Sequence, residues 1–193
     1  MTARGRRMKW AGLALVAAVG VYAAAQMVGS RSQSEARAAT PPAIAVTTEL
    51  GRSGLPVPRF VSLKNQRVNV RRGPSQAHPV AWQFQRAGLP VEITREFENW
   101  RMIRDAEGEE GWVFHSLLSG ARTAVVAPWD RDMQLRPLRD EPRQGADAVA
   151  RVEPRVVVRI ERCDGLWCEV EAGGYSGWMP QADLWGVYAG ERL

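Results

Sequence analysis

Residues 111–120 read GWVFHSLLSG and residues 177–186 read GWMPQADLWG. In both, Gly-Trp is followed at the same distance by Leu and then Gly, and the two copies stand 66 residues apart. Working outward, the correspondence persists. Val91-Glu92-Ile93 falls on Val158-Arg159-Ile160, Trp100 on Trp167 and Ile103 on Val170 at a spacing of 67, while Leu118 falls on Leu184 at 66. One residue is lost in the turn between, where a hairpin tolerates it. Upstream, Val68-Asn69-Val70-Arg71 is matched to Met133-Gln134-Leu135-Arg136 at 65. A fixed period with small drifts is the mark of an internal repeat, here of about 60 residues.

The runs inside each repeat are short and alternate. Val80, Trp82 and Phe84 share one face, "VEI" and "WRMIR" continue the pattern, and Gly, Pro or Asn separates most runs. Such punctuation is a strand and hairpin signal. No stretch after the first 38 residues sustains a helical period for three turns. The expected fold class is all-β: two small barrels of about five strands each, with boundaries at 60–120 and 121–193.

Two segments precede them. Arg4, Arg6, Arg7 and Lys9 stand before an uncharged, Ala- and Val-rich run from Trp10 to Ala25, the layout of a secretory signal peptide. Small residues around Ala23 and Ala25, and at Ala36 and Ala38, offer two cleavage points. An uncleaved inner-membrane anchor is the competing reading, because Trp10 to Val28 approaches the roughly 20 residues a span requires. Residues 1–38 are therefore signal peptide or anchor. Residues 39–59, with Pro41, Pro42, Pro56, Pro58, Gly51 and Gly54, read as a linker.

The net charge of +5 comes from the leader. Residues 1–38 hold six of the 26 basic and one of the 21 acidic side chains, which leaves 20 of each. A mature chain of zero net charge lacks the basic footprint of a nucleic-acid binder.

The stretch "VNVRRGPS" from Val68, a turn glycine at Gly88, "ENW" before a strand, and "GEEGWVFHSLL" together resemble the bacterial SH3-like domain. The match is good across 60–120 and weaker across 128–188, where Arg71-Arg72-Gly73-Pro74 is answered by Arg136-Pro137-Leu138-Arg139. "CDGLWCEV" and "GWMPQADLWGV" resemble the second half of tandem SH3-like proteins exported by Gram-negative bacteria. The resemblance implies a barrel fold and a periplasmic address. It implies no reaction, since a fold does not fix a function.

Cys163 and Cys168 frame a four-residue turn, and a spacing of 67 places Glu96 and Arg101 at the same positions of the first repeat. An acid and a base facing each other across a hairpin form a cross-strand pair, so a disulfide in their place is coherent, and an exported chain permits it. A zinc site lacks ligands, and the spacing is wider than the redox C-x-x-C. No metal or cofactor is expected. His78 and His115 are the two histidines and neither lies in a nucleophile motif, so no catalytic residue is assigned.

Gly111 and Gly177 permit either an unusual backbone angle or a close approach. Trp112 and Trp178 are expected in the cores, where one indole is a large share of a 60-residue interior, with Val80, Trp82 and Phe84 beside them. Trp129 and Trp185 are expected to pack between barrels. Trp100 and Trp167, each starting a strand beside a turn, are the ligand-contact candidates. The expected function is a non-catalytic, exported binding protein of the cell envelope, with peptidoglycan or an envelope protein as partner. Alternatives are a peptide-binding scaffold held at the inner membrane and an accessory fragment of a cell-wall hydrolase system.

Overall fold

The computed structural model describes residues 48–193; the signal-or-anchor expectation for residues 1–38 falls outside them. Among the described residues no helix is long and apolar enough to cross a membrane.

The first barrel contains β3 (Arg59–Leu63), β4 (Val68–Arg71), β5 (Val80–Phe84), β6 (Pro90–Phe97), β7 (Trp100–Arg104), β8 (Glu110–Phe114) and, after a 3-10 turn at His115–Leu117, β9 (Leu118–Ser119). The second contains β10 (Thr123–Val126), β11 (Arg136–Arg139), β12 (Ala148–Val152), β13 (Val157–Cys163), β14 (Trp167–Ala172), β15 (Tyr175–Pro180) and, after a turn at Gln181–Asp183, β16 (Leu184–Trp185). Neighbours run β5-β4-β8-β7-β6-β3-β9 in one sheet and β12-β11-β15-β14-β13-β10-β16 in the other. Strand for strand the order is the same, and the irregularities repeat as well. A bulge between Ile93 and Arg95 in β6 recurs between Ile160 and Arg162 in β13, and one between Val70 and Arg71 recurs between Leu138 and Arg139. Bulges re-aim side chains and bend the strand that carries them, so their repetition fixes matching curvature in both sheets.

Alternation fills each core. Leu63, Val68, Val70, Val91, Ile93, Ile103 and Val113 form the first, flanked by the half-buried Trp82 and Phe84; Val80 is exposed, at the rim of β5. In the second, Val126, Leu138, Val158, Val170 and Met179 pack with both cysteines. Gly111 and Gly177 are explained by close approach. A β-carbon at Gly111 would lie 2.3 Å from Val70 Cγ1, and one at Gly177 would lie 2.6 Å from the Arg139 carbonyl oxygen.

The register corrects the upstream alignment. Arg71 faces Trp112 and Arg139 faces Trp178, so Val68–Arg71 corresponds to Arg136–Arg139 and not to residues 133–136. Asp130 is the cause: its carboxylate accepts from the backbone N–H groups of Asp132 and Gln134 and pairs with Arg136 at 2.8 Å. This holds 130–134 in a turn before the strand begins. The corrected pairing recovers a further likeness, since Arg71 Nη1 donates to the His78 carbonyl and Arg139 Nη1 to the Ala146 carbonyl, each seven residues on.

Within residues 39–59, expected as linker, the described part contains a short hairpin. Its strands are β1 (Glu49–Leu50) and β2 (Pro56–Val57). Two-residue strands are too short to show alternation, and what holds this strap is remote in sequence: Glu96 accepts from both the N–H and the hydroxyl of Ser53, each at 2.7 Å.

The barrels meet through an aromatic cluster. Phe60 meets Trp185 edge-on at 5.2 Å and Tyr188 in a tilted arrangement at 4.8 Å between ring centroids, which places Trp185 between the barrels as expected. Trp129 is instead 54% exposed. The Tyr188 hydroxyl donates to Glu92 at 2.9 Å, and Arg104 pairs with the same carboxylate. Burial and the charge of Glu92 push the Tyr188 phenol well above its usual range, so it remains a neutral donor. Thr123 Oγ1 donates to the Gly88 carbonyl across the same junction.

Candidate functional site

The Gly-Trp strands put glycine toward the core, and strict alternation then turns the tryptophan outward. Trp112 and Trp178 are accordingly half-buried, not core residues as expected. Trp100 and Trp167, the residues expected to contact ligand, are buried at 8% and 9% exposure. Trp100 lies opposite Phe114 across β7 and β8, with ring centroids 5.5 Å apart in an edge-to-face arrangement. Cross-strand aromatic pairs of this kind stabilise a sheet. Trp167 is fixed from its backbone, since its N–H donates to Asp164 Oδ1 at 2.8 Å.

Each outward tryptophan sits in a cross-strand row. In the first barrel the row is Arg71, Trp112, Met102, Arg95; in the second it is Arg139, Trp178, Glu169, Arg162. The scaffold is one, but the chemistry differs. Arg162 donates to Glu169 at 2.6 Å and its guanidinium carbon lies 4.9 Å from the Trp178 ring centroid, a cation–π contact. Met102 replaces that acid in the first barrel. Among the described residues the Arg95 side chain has no ion-pair or hydrogen-bond partner.

The strap completes the first-barrel site. Between it, the outer end of β6 and Trp112 runs a groove of 610 Å³ whose walls include Leu50, Arg52, Pro58, Arg95 and Phe97. Leu50 is 77% exposed and Phe97 43%. Its lining is mixed, with Leu50, Val57, Pro58, Phe97 and Trp112 beside Glu49, Arg52, Thr94, Arg95 and Glu96, and apolar walls with convergent polar groups are a usual form of ligand site. Glu96 anchors the strap beneath it. Besides Ser53, it accepts from Arg59 Nη2 at 2.8 Å and pairs with Arg101 Nε at 3.2 Å. Burial pushes its carboxyl up, but the hydrogen bonds from Ser53 and Arg59 and the charge of Arg101 outweigh it and hold the group down at about 2.

Glu96 also answers the cysteine question. Glu96 faces Arg101, and Cys163 faces Cys168, at the same register of the two hairpins; the cysteines form a disulfide with Cα atoms 4.1 Å apart. The expected bridge is present, and it replaces an ion pair residue for residue. Leu50, Arg52 and Phe97 had no signal in the sequence. Arg95 had one: the same spacing of 67 sets Arg95 and Met102 against Arg162 and Glu169, so the missing acid was readable.

The bacterial SH3 domain family matches residues 64–120 and 134–186, more than half of the chain. The protein belongs to that family, as two tandem SH3-like domains. Among solved structures, NlpC2 from Trichomonas vaginalis is similar at 15% identity and a TM-score of 0.30, over 67% of this chain and 48% of that one. NlpC1 from the same organism is similar at 16% identity and a TM-score of 0.30, over 73% and 50%. The chain thus spans about half the length of these structures. No curated protein matches it. The disulfide and the SH3 domains are compatible with an extracytoplasmic location.

Proposed function

We propose that this chain is a non-catalytic, exported binding protein of the cell envelope, acting in the periplasm, and that it holds peptidoglycan in the groove beside Trp112. The observation that carries the reading is the half-buried indole of Trp112, which lines one groove together with strap residues and Phe97. A fixed ring offers an extended chain an apolar platform at small cost in side-chain freedom. Supporting the address, a disulfide persists in oxidising compartments and is rare in the cytosol. Supporting the ligand class, bacterial SH3-like repeats accompany cell-wall hydrolases, so a wall-binding role suits the family.

Retention on purified peptidoglycan sacculi tests this. Wild type is expected to sediment with sacculi, and Trp112→Ala to lose affinity by about tenfold or more, as loss of a desolvated aromatic anchor does. Because Trp112 is half-buried while Trp100 is 8% exposed, Trp112→Ala should lower the melting temperature less than Trp100→Ala does. A wild-type protein that stays in the supernatant removes peptidoglycan and leaves a segment of an envelope protein as the ligand.

A further inference from the structure

The two barrels carry the same arginine at the same bulged position, and they treat it differently. In the second barrel Arg162 is neutralised by Glu169 at 2.6 Å and rests on the Trp178 ring. That face is satisfied internally: its cation has its anion, and its indole has its cover. In the first barrel the residue facing Arg95 is Met102. Arg95 is exposed, its side chain has no partner among the described residues, and it borders the groove with Trp112 and Phe97. Arg52, on the strap, is a second exposed arginine of the same rim with no partner among the described residues. Glu96 contributes no free negative charge, because Arg59, Arg101 and Ser53 occupy it. Glu49 is the remaining acid of the lining, so the rim has two uncompensated cations to one anion.

From this we infer that the first-barrel groove recognises a carboxylate. Arg95 takes the place relative to the ligand's carboxylate that Arg162 takes relative to Glu169, and the ligand's apolar face lies on Trp112. A guanidinium binds a carboxylate through paired N–H donors, with a geometry that a lysine ammonium does not reproduce. The inference rests on the peptidoglycan reading and narrows it. The part of the polymer that the groove holds is the peptide stem, which carries free carboxylates next to small apolar side chains, and not the uncharged stretches of the glycan. The second barrel, with its arginine already paired, does not bind a second stem.

The experiment uses soluble disaccharide-peptide fragments of peptidoglycan, native and with their carboxylates converted to amides, titrated calorimetrically into the exported protein. Native fragments are expected to bind wild type, and amidation to weaken binding by about tenfold or more, the scale of a lost hydrogen bond to a charged group. Arg95→Gln should produce the same loss toward native fragments and show no further loss on amidation. Met102→Glu, which rebuilds the internal acid of the second barrel, should reproduce that loss while the arginine remains. Arg162→Gln should bind as wild type does. A thermal melt of each variant confirms that it is folded, and Arg95→Gln, at an exposed position, decides the matter if Met102→Glu does not fold. Equal affinity for native and amidated fragments would overturn carboxylate recognition and leave the peptidoglycan reading standing. Failure of both fragments to bind wild type overturns the peptidoglycan reading itself, and the stem assignment with it.

Discussion

Trp100→Ala is expected to destabilise the first barrel by about 3–5 kcal/mol, the range for removing a buried large aromatic. Trp100 is 8% exposed and packs edge-to-face on Phe114. Its loss therefore removes transfer free energy, opens a cavity and abolishes an aromatic pair. For a structure of this size such a change lowers the melting temperature by roughly 10 °C. The contrast with Trp112 carries the meaning of the result. Of two tryptophans on adjacent strands of one barrel, Trp100 should cost the more stability on removal and Trp112 the more binding. A Trp100→Ala protein that melts like wild type would show that the indole is not the structural element its burial makes it.

Glu96→Ala is expected to have an effect of similar size for an electrostatic reason. The Glu96 side chain is 1% exposed and stands between Arg59 and Arg101. Removing one member of a buried ionic cluster leaves the others charged and unpaired, which costs about 3–5 kcal/mol. The strap loses both of its Ser53 anchors in the same step, so trypsin should cut at the exposed Arg52 far faster than in wild type. The pH dependence follows from the same carboxylate. Its folded-state value of about 2 lies below the ordinary 4.5, so folding is favoured by the ionised form. That contribution is fully present above pH 4.5 and is lost as pH falls toward 2. Thermal melts from pH 6 to pH 2 should show a steeper decline for wild type than for Glu96→Gln, which has nothing to titrate there. Parallel curves would mean that the cluster does not hold the strap.

The fold was legible because its signals are local and doubled. Gly-Trp, the alternating runs and the spacing of 67 each survive in two copies, and the cysteine pair could be read from the Glu96 and Arg101 it replaces. The tryptophans were placed differently from expectation for a specific reason. Glycine directed toward the core forces its neighbour outward, so the residue that looked like core, Trp112, is the one that faces the groove. Trp100 and Trp167 stand beside turns, yet a strand position does not reveal that Phe114 covers Trp100. The strap was beyond reach by a different route. Its two-residue strands carry no period, and its anchor, Glu96, lies 43 residues from Ser53. The shift from 133–136 to 136–139 has the same character, since it depends on one aspartate, Asp130, capping two backbone N–H groups.

Ligand is expected at the strap-walled face of the first barrel and not at the matching face of the second. The most direct measurement is the set of indole N–H resonances in a ¹H–¹⁵N spectrum as soluble peptidoglycan fragments are added. The Trp112 resonance should move progressively with ligand, while those of Trp178, Trp100 and Trp167 stay in place. Equal movement of Trp112 and Trp178, or movement of Trp100 with Trp112 unchanged, would contradict the account.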